Sequence, residues 1–219
     1  MTAQHFKAVR LILLIGVVGV SLQSCKDLLG NIYDKPENTD KFGFIHSEGN
    51  SGIIYINSTD YSMWTYIDLH DRKIQQENIA TSEIADNDWD IAIHRYDAKT
   101  NGCLVADTSL KDIKELKEMT GLPEESFIPD VWSKVAIDMS DMINDNIKYS
   151  ESYVNKVLSR WLTVDTSTMP PIYTLSGNFY IVRLSDKTLA AVKLRDFISP
   201  SGDKGYMTIE YIYPFNWKE

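Results

Sequence analysis

The residues best suited to catalysis or metal binding are few in this 219-residue chain and lie far apart along it. His46, His70 and His94 are the histidines that follow residue 24, and each falls on a separate predicted strand or strand end. The chain has no Gly-x-Ser-x-Gly, His-Glu-x-x-His or Cys-x-x-Cys motif and no glycine-rich phosphate loop. Its 31 acidic residues are numerous enough for chance pairing. The pattern indicates a binding protein rather than an enzyme, with its histidines packed in the fold.

A secretory signal ending at a lipid-acceptor cysteine is predicted at the amino terminus. The apolar run Leu11–Val20 follows two basic residues and is too short to span a bilayer. The motif Leu-Gln-Ser-Cys then ends at Cys25 and resembles the lipobox of bacterial lipoproteins, although Gln23 is not the usual residue at its position. Cleavage removes residues 1–24, and acyl chains on Cys25 then anchor the protein to a membrane. An ordinary cleaved signal with an incidental cysteine is the alternative.

The composition is that of one folded, acidic domain behind this signal. Hydrophobic residues make up 43% and charged residues 24% of the chain, which is typical of a globular domain. The formal charge of −9 falls by two, to −11, when the two basic residues of the signal are removed. This charge excludes nucleic acid as a partner, because phosphate binding needs a basic surface. Residues 25–40 form the lipidated cysteine and a flexible tether, residues 41–219 form the domain, and Cys103 is predicted to be a buried apolar residue.

Alternation with period two dominates the chain from residue 41 onward. Gly52–Asn57 and Met63–Leu69 are β-branched and aromatic runs bounded by turn residues, as is typical of strands. Asp88–Tyr96 is the next predicted strand, with Trp89 on the same face as Ile91 and Ile93. Asp97–Gly102 is predicted to be the turn after it.

The carboxy-terminal part is predicted to be an antiparallel meander. Its three strand candidates, Asn178–Ser185, Thr188–Asp196 and Tyr206–Tyr213, are joined by turn-forming segments. One helix is predicted over Leu110–Met119, with Ser109 as its cap and glycine and proline after it. The sequence therefore predicts a single all-β domain, mostly antiparallel sheet, with a short helical insertion.

Three segments together resemble the HmuY family of haem-binding lipoproteins from Gram-negative anaerobes. The most specific is Trp89–Gly102 (WDIAIHRYDAKTNG); Tyr61–Tyr66 (YSMWTY) precedes it and Met207–Phe215 (MTIEYIYPF) lies near the carboxy terminus. The resemblance covers most of residues 41–219. It implies an all-β fold with a cleft between extended loops, in which two axial side chains hold haem.

The resemblance also implies which residues bind the iron. Some members of this family use two histidines and others use two methionines, and this chain has no histidine after His94. Met142 and Met169, 27 residues apart, are the expected axial pair, and Met139 is the substitute. A thioether is a soft, neutral ligand that favours Fe(II), so reduction is expected to tighten haem binding.

Core packing is the alternative for each methionine, because methionine fills irregular gaps in apolar interiors. Met63, Met119 and Met207 are assigned to packing, whereas a Ser/Thr-rich segment followed by two prolines places Met169 in a predicted loop. Apolar and aromatic candidates for the cleft walls lie near the ligand segments, and plain core packing is the alternative for each: Trp132, Ile143, Ile147, Tyr149, Trp161 and Tyr173. Lys148, Lys156 and Arg160 are candidate propionate partners, with propionates that face water as the alternative.

The function implied by the resemblance is iron acquisition. The protein is expected to be an outer-membrane lipoprotein at the cell surface that binds haem and passes it to a TonB-dependent receptor. The receptor step rests on the resemblance alone, and an iron-free porphyrin is also open as the ligand. The alternative is a surface scaffold or adhesion lipoprotein with the same β domain and no small-molecule ligand.

Overall fold

The structure is a computed structural model that describes residues 41–78, 88–168 and 170–219. The chain divides into two compact units, residues 1–39 and 40–219, and every described residue belongs to the second. The predicted signal and tether with Cys25 lie outside the described residues, and so does Met169.

The described residues form fourteen strands and one short α-helix. No helix among them is long and apolar enough to cross a bilayer. The strands are β1 (Gly43–Glu48), β2 (Ser51–Asn57), β3 (Met63–Asp68), β4 (Lys73–Asn78), β5 (Ile91–His94), β6 (Asp97–Thr100), β7 (Leu104–Asp107), β8 (Val131–Asp141), β9 (Asn146–Val154), β10 (Leu162–Asp165), β11 (Ile172–Leu175), β12 (Tyr180–Arg183), β13 (Leu189–Ile198) and β14 (Lys204–Phe215). Helix α1 is Ile113–Lys117, and 3₁₀ turns cover Glu124–Ser126, Met142–Asn144 and Leu158–Trp161.

These strands form two larger sheets and two hairpins, all with antiparallel pairing. The six-stranded sheet has the order β1-β2-β14-β13-β12-β7, and the four-stranded sheet has the order β4-β3-β5-β6. β8 with β9 and β10 with β11 form the two-stranded hairpins. Strands β12, β13 and β14 are consecutive in the chain and adjacent in the six-stranded sheet, which confirms the predicted carboxy-terminal meander. The all-β class is also confirmed.

The main hydrophobic core contains side chains from both larger sheets. Alternate residues of each strand enter it, such as Ile54 and Ile56 on β2 and Ile91 and Ile93 on β5. Each is fully or almost fully buried, and burying a side chain of this size contributes roughly 1.5–3 kcal/mol to folding relative to leaving it in water. Cys103 belongs to this core as a free thiol, as predicted, and burial raises its pKa to about 12.

Each larger sheet is also covered on its other face. Ile181 of the six-stranded sheet packs in a second cluster with Leu116 of α1. Trp64 of the four-stranded sheet packs in a third cluster with Val135 of β8 and Val154 of β9. Strands covered on both faces are apolar at nearly every position, so simple alternation describes them incompletely.

The segment around β5 differs from the prediction in two ways. The chain reverses at Arg95, which has a φ of 50°, so Asp97–Thr100 is strand β6 and the turn follows it at Gly102, with a φ of 68°. Trp89 precedes β5, and it packs with Ala92 in the third cluster instead of with the isoleucines. Alternation applies only within a continuous strand, and β5 begins after Trp89.

The helix is shorter than predicted. Helix α1 covers Ile113–Lys117, and Asp112 caps it by accepting a hydrogen bond from the backbone N–H of Lys114 at 2.7 Å. Ser109 has a φ of 58° and lies before this cap, so it is not the capping residue. A carboxylate at the cap also suits the partial positive charge of a helix amino terminus.

Asn155 is fully buried at the base of the β8–β9 hairpin. Its Nδ2 donates to Asp130 Oδ1 at 2.9 Å, and its Oδ1 accepts from the backbone N–H groups of Val157 and Leu158 at 3.1 and 2.9 Å. Asp130 in turn accepts from the backbone N–H and the hydroxyl of Thr100 on β6, at 2.6 and 2.9 Å. This network joins the hairpin to the four-stranded sheet and to the 3₁₀ turn that follows it.

Replacing Asn155 with alanine is therefore expected to lower the free energy of unfolding by about 3 kcal/mol, because each buried polar group left without a partner costs roughly 1–3 kcal/mol. Urea denaturation followed by circular dichroism measures it. Asn144→Ala, at the exposed tip of the same hairpin, is the matched control and should change stability by less than about 0.5 kcal/mol. Equal effects of the two substitutions would contradict the role assigned to the network.

Candidate functional site

Two of the three methionines expected to bind iron lie at one hairpin tip. Met142 begins the 3₁₀ turn between β8 and β9 and is 38% exposed. Met139 lies three residues earlier on β8 and is partly buried. Met169 belongs to the segment between β10 and β11 but is outside the described residues. The pairing of Met142 with Met169 therefore stays a prediction.

The tip that carries Met142 is shaped by polar side chains. Asp141 accepts hydrogen bonds from the side-chain amides of Asn144 and Asn146, and these bonds hold the pKa of its carboxyl below the usual range. Asp145 completes the turn with a φ of 59°, a left-handed conformation that aspartate tolerates better than most residues. The turn therefore has a defined shape without any buried residue of its own.

The β8–β9 hairpin also carries most of the exposed large apolar side chains among the described residues. Ile143, beside Met142, is 93% exposed. Ile172 on β11, in the other hairpin, is 53% exposed. Six of the nine such residues lie on the β8–β9 hairpin, some at its tip and others near its base, and exposed apolar patches mark binding sites. They are Val131, Trp132, Met142, Ile143, Tyr149 and Tyr153.

The expected cleft-wall and propionate residues fall into different environments. Trp161 is fully buried in the main core, which is the alternative to a cleft wall. Lys148 forms an ion pair with Asp138 at 2.7 Å, so its ammonium already has a partner within the hairpin. Tyr173 stacks on Phe197 with ring centroids 5.2 Å apart. Lys156 and Arg160 are exposed, as propionate partners would have to be.

His70 and His94 have hydrogen-bond partners within the fold, as predicted. His94 is almost fully buried and its Nε2–H donates to the carbonyl oxygen of Tyr61 at 2.6 Å. His70 lies between Asp90 and Asp186, with its Nδ1 3.3 Å from one carboxylate and its Nε2 3.0 Å from the other. Asp68, His70 and Asp90 place ligand atoms within 4.8 Å of one another, but both ring nitrogens of His70 already have partners.

The pH dependence of the His70 contacts can be stated with its sign. Partial burial opposes the charged ring, but hydrogen bonds and charge from Asp186 and Asp90 outweigh it, so the pKa of His70 is raised above 6.5. Its contribution to stability is then full below the unfolded pKa and is lost as the pH rises through the folded one. The destabilisation caused by His70→Gln in urea denaturation should be larger at about pH 5.5 than at about pH 8. A difference independent of pH, or one unchanged by Asp186→Asn, would contradict this assignment.

A cleft of about 570 Å³ lies at the base of the hairpin, away from the methionines. Trp132 and Tyr153, paired across β8 and β9, line it, and on the order of 30 Å of strand separates Trp132 from Met142. Lys99 of β6 is buried beside it, and desolvation lowers the pKa of its ammonium to about 8. Sequence reasoning missed this site because it assigned Lys99 to a turn, although the segment Trp89–Gly102 had been the most specific one in the chain.

Comparison of this chain with known proteins gives one matching family model and several similar solved structures. The family model described as HmuY protein matches residues 60–211. A structure from Bacteroides vulgatus, described as a candidate HmuY-like haem-binding protein, is 48% identical with a TM-score of 0.75, covering 80% of this chain and 100% of that one. A candidate lipoprotein from Bacteroides fragilis is 42% identical with a TM-score of 0.75, covering 83% and 100%.

A more distant structure shares the fold. Apo PinO from Porphyromonas gingivitis is 22% identical with a TM-score of 0.65, covering 77% of this chain and 100% of that one. No sequence match was found among curated proteins.

Proposed function

This chain belongs to the HmuY family, and from that premise we propose that it binds haem through the tip of the β8–β9 hairpin. The observation that carries the proposal is the 48% identity to the Bacteroides vulgatus protein, a candidate haem-binding protein whose whole length is covered. The apolar tip supports it, because a porphyrin needs apolar surface on its faces. Met142 and Ile143 supply such surface beside a thioether.

The proposed iron ligands are Met142 and Met169, with Met139 as the substitute. The side chains available at the tip fit haem: a thioether suits haem iron, especially Fe(II), and the neighbouring Ile143 is apolar and exposed. The bonds from Asn144 and Asn146 to Asp141 hold the turn, so Met142 is presented from a shaped loop. Neither thioether is protonated near neutral pH, so binding should persist in mild acid while the fold does.

Haem titration of residues 26–219, followed by absorbance with and without dithionite, tests the ligand set. Wild-type protein should give a sharpened Soret band and bind reduced haem more tightly than oxidised haem. Met142→Leu and Met169→Leu should each weaken binding of reduced haem at least about tenfold, since leucine keeps the apolar volume and removes the sulfur. Met139→Leu should have a smaller effect.

Met119→Leu, in the cluster beside α1, is the matched control and should bind haem as the wild type does. Binding that survives both ligand substitutions would keep haem as the ligand and contradict the methionine pair. A complete absence of binding by the wild type would contradict haem itself and favour the scaffold or adhesion alternative.

We also propose that the protein is a lipoprotein of the outer membrane that delivers haem to a TonB-dependent receptor. The predicted acceptor Cys25 supports lipidation, as does the 42% identity to a candidate lipoprotein from Bacteroides fragilis. The proposed action is binding and release rather than catalysis. His70 and His94 already have partners in the fold.

Lipidation makes a direct prediction for Cys25. In cells fed an alkyne-labelled fatty acid, the wild-type protein should take up label and sediment with the outer membrane. Cys25→Ala should lose the label and leave the membrane fraction, since acyl chains supply the anchoring free energy. Cys103→Ala is the matched control, because that thiol is buried, and it should label normally. Labelling that survives Cys25→Ala would contradict the assignment.

A further inference from the structure

Lys99 sits in a cage of aromatic rings at the inner end of the 570 Å³ cleft, hereafter the Lys99 cleft. Its residue is only 9% exposed, and its Nζ lies 4.4, 4.8 and 5.5 Å from the ring centroids of Trp64, Tyr66 and Trp89. Aromatic faces attract a cation, but they do not satisfy its N–H donors. The rings therefore hold the ammonium in place without using its N–H donors.

Lys99 supplies the cleft with an ammonium that has few hydrogen-bond partners. Among the described residues, Lys99 Nζ donates one hydrogen bond, to Tyr66 Oη at 3.0 Å, and it forms no ion pair with a carboxylate. An ammonium has three N–H donors, so Lys99 can also donate to an acceptor that enters the cleft.

Charge limits which acceptor fits. The domain is strongly acidic, and Asp130 and Glu151 also line the cleft, so a dianion such as a phosphate monoester would be repelled. One ammonium matches one negative charge, and a carboxylate accepts hydrogen bonds without needing to donate any. Desolvation lowers the pKa of Lys99 to about 8, which leaves the ammonium mostly protonated at neutral pH.

The mouth of the cleft suits a flat apolar body. Trp132 and Tyr153 stand there in an edge-to-face pair with ring centroids 5.0 Å apart, and they are 58% and 56% exposed. Aromatic rings of this kind bind planar apolar groups by stacking. The volume falls within the range of about 300–1,000 Å³ that is usual for small-molecule sites.

We propose that the Lys99 cleft is a second binding site, for a small organic monocarboxylate with a flat apolar body. The carboxylate accepts from the ammonium of Lys99, and the body lies against Trp132 and Tyr153. This site is separate from the hairpin tip, so it stands whether or not haem binds there.

The test uses 1-naphthaleneacetate as the probe and its neutral amide, 1-naphthaleneacetamide, as the matched ligand. Titrations of residues 26–219 are followed by calorimetry and by the indole N–H signals in ¹H–¹⁵N spectra, assigned by single Trp→Phe variants. The carboxylate should bind at least about tenfold more tightly than the amide, a factor typical of one charge-assisted hydrogen bond. The signals of Trp64 and Trp89 should move, whereas that of Trp161, in the main core, should not.

Variants separate this role from simple packing. Lys99→Met should abolish the preference for the carboxylate, and Lys117→Met, an exposed lysine on α1, should leave it intact. Trp132→Ala removes a largely exposed ring, so it tests the cleft even where Lys99→Met fails to fold, and it should weaken both probes several-fold. Any of four results would overturn the proposal. They are equal binding of the acid and the amide, binding of methyl glucoside instead of both, indole N–H signals that do not move, and a preference for the carboxylate that survives Lys99→Met.

Discussion

The position of the β8–β9 hairpin depends on one buried polar network, formed by Asp130, Asn155 and Thr100. Hydrogen bonds between side chains have directional geometry, whereas apolar contacts tolerate sliding. Val135 and Val154 bury the hairpin base against Trp64, but the network sets where that base sits along the four-stranded sheet. That placement fixes the part of the hairpin that lines the Lys99 cleft. It also fixes the base from which the hairpin extends to the tip with Met139 and Met142.

The parts of the fold that were predictable from sequence are those where local pattern and packing agree. The meander β12–β14 is predictable because short turns join apolar strands that are neighbours in the chain. The hairpin β8–β9 was not predicted, because Val135 is the one buried residue of β8 and a register shift follows Ala136. Such strands are defined by the surface they pack on, and one sequence does not reveal that surface.

The two candidate sites were predictable to different degrees. The methionines follow from a resemblance, and the structure adds that Met139 and Met142 share a hairpin tip with the exposed Ile143. The Lys99 cleft brings together residues from β3, β6, β8 and β9, so no local pattern could indicate it. Lys99 was further hidden because a tight reversal at Arg95 turned an expected loop into a strand.

The β8–β9 hairpin is held by buried contacts at one end only. Its buried residues, Val135, Ser152 and Val154, are all near the fixed end, and none of residues 136–151 is buried. At about 3.3 Å per residue, a rotation of a few degrees at the base displaces the far end by roughly 1–3 Å. Bending at the base alone therefore moves the side chains of the tip, while the two sheets and their shared core keep their shape.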